Sequence, residues 1–272
     1  MNRSVLIIST GRTGTKFIAN LLNRHLSDAC VYHASPYTPM INILCNAHLA
    51  GYLPRNAVEY TWGIFKKKEL STCHKGIYID SNNHLYALPL ISPNLYPGLK
   101  VIHIIRDPRS YVPSHINWMK HRPKSYFAHH FVPFWQPNGF LMGEFTAKNW
   151  LKASTFERFC WIWDYKNAVI KKIQDTDIDY LSIRFEDIFL SNDGTKNINK
   201  LLAFAGLPPA LTSINELQTR ENQAKERTFP EWIKWTNELS AQMDKICGKR
   251  MLEYGYGTEL EWRNKIAHTR QE

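Results

Sequence analysis

The pattern that most restricts the fold of this chain lies near its amino terminus. Residues 5–8 are all apolar, as expected of a short strand buried on both faces. Residues 9–15 form a turn-rich stretch with glycines at positions 11 and 14, and apolar side chains then recur at helical spacing in residues 17–26. A strand, a glycine-rich loop and an amphipathic helix in this order predict an α/β unit whose loop presents backbone N–H groups to an anion.

Later segments repeat the alternation of strands and helices. Residues 101–105 form a second apolar run, and shorter strands are predicted at 77–79 and 180–183. Helices are predicted at 39–50, 108–120, 154–174, 196–206 and 231–252. This alternation predicts an α/β fold with a central, mainly parallel sheet flanked by helices.

The length of 272 residues and the lack of a linker-like stretch predict one domain over residues 1–272, with a helical carboxyl-terminal segment at about 209–272. Residues 118–150 fit the alternation poorly, because nine aromatic residues and three histidines are interrupted there by prolines and glycines. We interpret them as an irregular aromatic insertion over the functional edge of the sheet. The alternative is a long loop with a small core of its own.

The net charge of +10 falls entirely within residues 1–151. A basic surface attracts phosphate, whether in nucleic acid, anionic lipid or a small molecule. The basic residues are dispersed, and the longest run, residues 66–68, is interpreted as a solvated helix face. The dispersal favours a small phosphorylated ligand, and no nucleic-acid partner is predicted.

Five cysteines, at positions 30, 45, 73, 160 and 247, show no paired spacing. A sparse, odd set predicts reduced thiols in an intracellular protein. The first apolar run is too short for a signal peptide, and no apolar stretch reaches 18 residues, so no transmembrane segment is expected. Together these features predict a cytoplasmic protein.

The composition of the first loop indicates which anion it suits. Two glycines let the backbone approach phosphate oxygens, and four side chains can add donors: Gly11 and Gly14, then Arg12, Thr13, Thr15 and Lys16. The spacing differs from that of ATP-binding P-loops, and Phe17 stands where such loops carry the hydroxyl that holds Mg²⁺. We therefore predict a phosphate site without a metal ion.

A second phosphate site is predicted after the apolar run 101–105. Arg106 follows that strand directly, and Ser114 lies two helical turns further on, so the two side chains can converge on one anion. Arg109, in the same segment, is a further candidate. The alternative is that Arg106 pairs with Asp107 or Glu186 as structural scaffolding.

Four segments, in this order, resemble the sulfotransferases that use 3′-phosphoadenosine 5′-phosphosulfate (PAPS): residues 9–17, 101–114, 180–188 and 201–208. The resemblance implies a P-loop NTPase-like, three-layer α/β fold without a metal. It also implies transfer of a sulfuryl group from PAPS to a hydroxyl or amine of a small-molecule or glycan acceptor, with 3′,5′-ADP as the product.

The resemblance also implies roles for individual residues. The 5′-phosphosulfate would be held by Gly11, Arg12, Thr13, Gly14, Thr15 and Lys16, of which Arg12 and Lys16 would neutralise charge on the leaving group. The 3′-phosphate would be held by Arg106 and Ser114, and a basic loop with Lys225 and Arg227 would close on the cofactor. Arg184 and Glu186 would form a structural ion pair.

The resemblance also implies a general base at the end of the strand before the 3′-phosphate strand, which here is the strand at 77–79. Asp80 is the first candidate and His84 the second, whereas the alternative for Asp80 is a helix cap. Candidate acceptor-binding residues are His33, His115 and Trp118. His103, within a strand, is interpreted as a core residue.

Three other classes of function stay open at this point. A P-loop kinase is disfavoured by Phe17 and by the second phosphate motif. A binder of nucleic acid or of an anionic surface is disfavoured by the dispersed charge. A pseudoenzyme that binds nucleotide without turnover is kept open by the choice between two candidate bases.

Overall fold

The computed structural model describes residues 3–71, 73, 76–209 and 228–267. Its centre is one five-stranded parallel sheet with strand order β2-β3-β1-β4-β5. The strands are β1 (Arg3–Ser9), β2 (Ala29–Tyr32), β3 (Ile77–Ser81), β4 (Leu99–Ile105) and β5 (Asp179–Arg184). The predicted fold class is confirmed. Only β2 has no counterpart among the predicted strands, since its apolar run is just four residues long and three of the four are half-buried.

The first strand is buried on both faces because it lies at the middle of the sheet. Val5 and Ile7 point into one apolar core, whereas Leu6 and Ile8 point into the other. Since side chains alternate along a strand, a run of four apolar residues fits this position and no edge position.

Helices cover both faces of the sheet. In chain order they are α1 (Thr15–His25), α2 (Thr38–Leu49), α3 (Arg55–Ser71), α4 (Leu88–Ile91), α5 (Pro108–Lys120), α6 (Pro123–Phe131), α7 (Ala147–Lys152), α8 (Thr155–Lys171), α9 (Phe185–Phe189), α10 (Gly194–Phe204), α11 (Asn237–Glu253) and α12 (Leu260–Ala267). Helices α1, α9 and α10 pack on one face, and α2, α3, α4 and α8 pack on the other. A third core joins α5, α8, α11 and α12. Among the described residues, no helix has the length and apolar character needed to cross a membrane.

The segment 118–150 is more regular than expected, since it contains the end of α5, all of α6 and the start of α7. No residue of α6 is fully buried, so this helix is an outer element of the structure.

Lys66 is not on a solvated face, as the run 66–68 had suggested. Its side chain is buried, and its Nζ lies 3.2 Å from the centroid of the Tyr78 ring and 4.6 Å from that of Tyr96. Helix α3 turns Lys66 toward the sheet, where aromatic faces stabilise the cation.

The prediction that all five cysteines are reduced is wrong for one pair. Cys30 in β2 and Cys73 form a disulfide with a Cα–Cα distance of 6.0 Å. The pair is 43 residues apart in sequence, and Cys73 comes shortly before β3, the strand that pairs with β2. The other three thiols, Cys45, Cys160 and Cys247, are buried as expected.

Candidate active site

A cavity of about 990 Å³ opens at the carboxyl edge of the sheet. Residues that follow each of the five strands line it, namely Gly11, His33, Asn83, Arg106 and Phe185. This is the edge at which parallel α/β sheets bind ligands, because the loops after the strands converge there.

The loop after β1 is tightly curled. The φ angles are 105° at Gly11, 56° at Arg12 and 75° at Gly14, all in the left-handed region. A Cβ atom at Gly14 would lie 2.7 Å from the ring of Phe189. Position 14 therefore requires glycine both for its backbone angle and for the close approach of α9.

Thr13 and Thr15 are buried, and their contacts help to fix the shape of this loop. The Thr13 hydroxyl donates to Ser9 Oγ at 2.6 Å, and the Gly11 N–H donates to the same oxygen at 3.1 Å. The backbone carbonyl of Thr15 accepts a bond of 2.8 Å from Ser81 Oγ, which ties the start of α1 to β3. Lys16, in contrast, has an exposed side chain at the cavity.

The two predicted phosphate motifs meet in space. Arg12 Nε donates to Ser114 Oγ at 3.2 Å, and Arg106 Nη1 donates to the backbone carbonyl of Arg12. Arg106 Nε also donates to Ser110 Oγ at 3.0 Å. The loop after β1 and the first turns of α5 thus form one continuous cationic surface along the cavity.

The electrostatics of this surface favour an anion. Burial, together with the charges of Arg106 and Arg122, lowers the pKa of Arg12 to about 10. Arg12 and Arg122 both lie over the Trp118 ring, at 5.7 and 5.0 Å from its centroid. A bound anion would relieve the mutual repulsion of these guanidinium groups.

Arg109 has most of its N–H donors bonded to two carboxylates. Its guanidinium is buried and bonds Asp107 at 2.6 Å and Glu259 at 2.8 Å, which together occupy all three of its nitrogens. It also packs against Trp232 and Trp262. Arg109 therefore fastens the region before α12 to the start of α5.

The alternative in which Arg106 pairs with Asp107 or Glu186 is not what the structure shows. Glu186 accepts bonds from the Asp107 backbone N–H at 3.1 Å and from the Tyr256 hydroxyl at 2.6 Å. Nor do Arg184 and Glu186 form an ion pair, because Arg184 pairs with Asp187 at 2.8 Å, within the turn that opens α9.

The two candidate bases lie in different places. Asp80 is buried beneath the sheet edge, where its carboxylate accepts a 3.2 Å bond from Tyr78, and it does not line the cavity. His84 lines the cavity, and its Nδ1 has no hydrogen-bond partner among the described residues. Burial, aided by the charge of Lys166, lowers the pKa of His84 to about 3, so the imidazole is neutral. This placement favours His84 over Asp80.

The predicted acceptor-binding residues all line the same cavity. His33 Nδ1 lies 2.6 Å from the Ser81 carbonyl, whereas neither ring nitrogen of the buried His115 has a partner among the described residues. Burial lowers the pKa of His115, and the neighbouring His129 adds to this effect. Trp118 completes this part of the wall.

Several cavity residues were missed by the sequence prediction. His129 and Trp135 belong to the aromatic segment 118–150 and could have been chosen individually from it. Phe189, Phe229 and Trp232 gave no local signal, since only the tertiary fold brings them to the cavity. Lys225 and Arg227 lie outside the described residues.

The described part of the chain contains no group of three His, Cys, Asp or Glu side chains placed to bind a metal ion. His103 has the predicted core role, since its two ring nitrogens contact the Tyr180 hydroxyl at 2.7 Å and Asn167 Oδ1 at 2.9 Å.

Comparison with solved structures identifies the fold. A sulfotransferase from Alicyclobacillus acidocaldarius superposes with a TM-score of 0.53 at 10% identity, over 97% of this chain and 99% of that chain. The mouse sulfotransferase SULT7A1, solved in complex with PAP, superposes with a TM-score of 0.53 at 14% identity, over 97% of this chain and 88% of that chain. Both likenesses confirm the P-loop NTPase-like three-layer architecture. No curated protein matches the sequence significantly.

A family model described as the sulfotransferase domain matches residues 2–245, which include both predicted phosphate motifs and all the described residues that line the cavity. The chain therefore belongs to the sulfotransferase family and is a sulfotransferase enzyme.

Proposed function

We propose that the enzyme transfers a sulfuryl group from PAPS to a hydroxyl or amine of a small-molecule or glycan acceptor. The continuous cationic surface made by Arg12, Arg106 and Ser114 carries this proposal, because a nucleotide with separate 5′ and 3′ anionic groups suits two joined phosphate motifs. PAPS has both groups, whereas ATP has no 3′-phosphate.

The residues at the cavity suit PAPS. The curled loop with Gly11 and Gly14 offers space and backbone N–H groups for the 5′-phosphosulfate, beside Lys16. Arg106, at the end of β4, and Ser114 on α5 suit the 3′-phosphate. Aromatic side chains that can stack on the adenine line the same cavity, which at about 990 Å³ is large enough for a nucleotide together with an acceptor.

His84 is the proposed general base. A neutral imidazole can accept the proton of the acceptor hydroxyl or amine as the new bond to sulfur forms and the bond from sulfur to the bridging phosphate oxygen breaks. The pKa of His84 is low in the protein without a ligand, and an anion bound near the ring would raise that pKa. Arg12 and Lys16 would stabilise the charge that the leaving 3′,5′-ADP acquires.

The acceptor would lie between His84 and the aromatic wall of the cavity. The Trp135 ring meets His84 edge-on with 5.8 Å between centroids, and the ring centroids of His115 and Trp118 are 5.7 Å apart on the other wall. Flat apolar faces beside polar ring nitrogens suit a sugar or another ring that carries the reacting group.

Calorimetric titration tests the donor. We expect 3′,5′-ADP to bind more tightly than 5′-AMP, ADP or ATP, and Arg106→Ala to remove most of that preference. Arg55→Ala, which changes an exposed arginine on α3, is the matched control and should bind like the wild type. Equal affinity for 3′,5′-ADP and 5′-AMP would contradict the proposal. Transfer of label from PAPS to a panel of acceptors then tests turnover.

A further inference from the structure

Helix α6 has two faces of different character. Ser125 and His129, one turn apart, line the cavity. Away from the cavity the exposed fractions of the side chains are 48% for Tyr126, 59% for Phe127 and 65% for Phe131. Three large aromatic residues on nine residues of helix are thus held in solvent at the edge of the cavity.

The exposed rings are ordered into two adjacent stripes. The ring centroids of Phe127 and Phe131 are 5.1 Å apart, and those of Tyr126 and His130 are 4.1 Å apart and stacked. Each pair is spaced i, i+4, so the rings form one continuous patch along the helix. A contiguous apolar patch of this kind marks an interaction surface more often than isolated exposed residues do.

The charged residues in the sequence on either side of the patch have one sign. Lys120, Arg122 and Lys124 are exposed at and just before the start of α6. No Asp or Glu occurs between Asp107 and Glu144 in the sequence. Aromatic side chains next to lysine and arginine on one short helix are typical of segments that lie in the headgroup region of an anionic membrane. Protein interfaces, by contrast, are depleted of lysine.

We propose that α6 docks on the surface of an anionic phospholipid bilayer, with Phe127 and Phe131 inserted among the headgroups and Lys120, Arg122 and Lys124 on the lipid phosphates. Since the same helix lines the cavity through Ser125 and His129, docking places the cavity beside the membrane. Resting on the proposed function, this position selects an amphiphilic acceptor that reaches the cavity from the bilayer.

Vesicle co-sedimentation tests the docking surface directly. We expect the wild-type chain to sediment with vesicles of phosphatidylcholine and phosphatidylglycerol, about tenfold or more strongly than with phosphatidylcholine alone, and to be released by high salt. The double variant Phe127→Ser, Phe131→Ser should lose about tenfold in affinity for the anionic vesicles. Its near-ultraviolet circular dichroism should stay unchanged, because both side chains are exposed.

The matched control is Tyr60→Ser, Ile64→Ser on α3, an i, i+4 pair with exposed fractions of 75% and 54%. It should bind vesicles like the wild type. The proposal is overturned if the wild type ignores anionic vesicles, if both double variants lose binding equally, or if ultracentrifugation shows a dimer that only the α6 variant disrupts, since a second copy would then cover the patch. Vesicle binding needs no nucleotide, so its failure and the failure of the PAPS proposal are separate results.

Discussion

Arg12 and Ser114 are 102 residues apart in the sequence, yet Arg12 Nε donates a hydrogen bond of 3.2 Å to Ser114 Oγ. The bond joins the loop after β1 to the second turn of α5. Because each residue belongs to a different predicted phosphate motif, an anion bound at one motif would constrain the geometry of the other.

The first prediction concerns this pair. Arg12→Ala should weaken 3′,5′-ADP binding by about 10- to 100-fold and Ser114→Ala by about threefold, since charged hydrogen bonds contribute more than neutral ones. The double variant should lose less than the sum of the single losses, with a coupling of about 0.5 kcal/mol or more. Calorimetry on the four proteins measures this, and strictly additive losses would show that the motifs act independently.

The second prediction concerns Gly14, whose φ of 75° and proximity to Phe189 both oppose a Cβ atom. Gly51 has a similar φ of 80°, but a Cβ atom there would meet no other atom within 4 Å, so Gly51→Ala reports the backbone effect alone. We expect Gly51→Ala to lower the free energy of unfolding by about 1 kcal/mol and Gly14→Ala by about 2–4 kcal/mol. Urea denaturation compares the two variants. If both lose the same free energy of unfolding, the Phe189 ring moves aside to accommodate the Cβ atom at position 14.

The third prediction separates the two candidate bases. His84→Gln should lower kcat by about 10²–10⁴-fold and leave 3′,5′-ADP affinity within about threefold of the wild type. Asp80→Asn should keep turnover within about tenfold of the wild type, because Asp80 does not line the cavity. Steady-state kinetics with labelled PAPS checks both. The reverse pattern, with Asp80→Asn inactive and His84→Gln active, would restore the carboxylate as the base.

The fourth prediction concerns Lys166 in α8, which is buried 4.8 Å from the centroid of the Tyr86 ring. Burial lowers its pKa from 10.5 to about 7. Between these values the unfolded chain holds the proton and the folded chain does not, so this residue makes the free energy of unfolding rise with pH, by at most about 1.4 kcal/mol per unit.

Lys166→Met removes this dependence. The variant should be more stable than the wild type at pH 7, and the difference should narrow toward pH 9 as the wild type loses its buried charge. Lys171→Met, on the same helix but paired with Glu253 at the surface, serves as the control and should show no such narrowing. Urea denaturation at the two pH values gives the comparison. A difference that stays constant with pH would mean that Lys166 keeps its proton throughout.

The fifth prediction concerns the Cys30–Cys73 disulfide. It closes a loop of 43 residues, so its reduction should lower the free energy of unfolding by about 2–4 kcal/mol. Thermal unfolding with and without reductant measures the change. Cys30→Ala, Cys73→Ala should behave like the reduced protein and should not respond to reductant. Alkylation of all five cysteines in the unreduced, denatured chain would show that the bond does not form.

The sequence allowed prediction of those parts of the site that are encoded locally. The apolar run in β1, the glycines after it and Arg106 after β4 each have their chemistry and their backbone position fixed by a few neighbouring residues. The parallel sheet then brings the ends of the strands together without further information. For this reason the fold class and the placement of Arg12, Arg106 and Ser114 at one cavity could be anticipated.

The remaining features depend on distant parts of the chain. Lys66 is buried because Tyr78 and Tyr96, from later segments, cover it. Several acidic residues lie near Arg184 in the sequence, and it is the backbone turn at the start of α9 that places Asp187 within ion-pair distance of it. The direction in which Asp80 points depends on the strand pleat, which a one-residue shift reverses. Spacing along the chain does not determine any of these partners.

The contacts of Arg109 with Asp107, Glu259 and Trp262 have a consequence for carboxyl-terminal truncation of the protein. Among the described residues, all that line the cavity precede position 234, so a chain that stops after α11 would keep this part of the lining. It would, however, lack Glu259 and Trp262, and would leave a buried guanidinium with one carboxylate in place of two at the first turn of α5. The truncated protein should therefore bind nucleotide less well. A tag added after residue 267 would keep the contacts of Arg109 with Glu259 and Trp262.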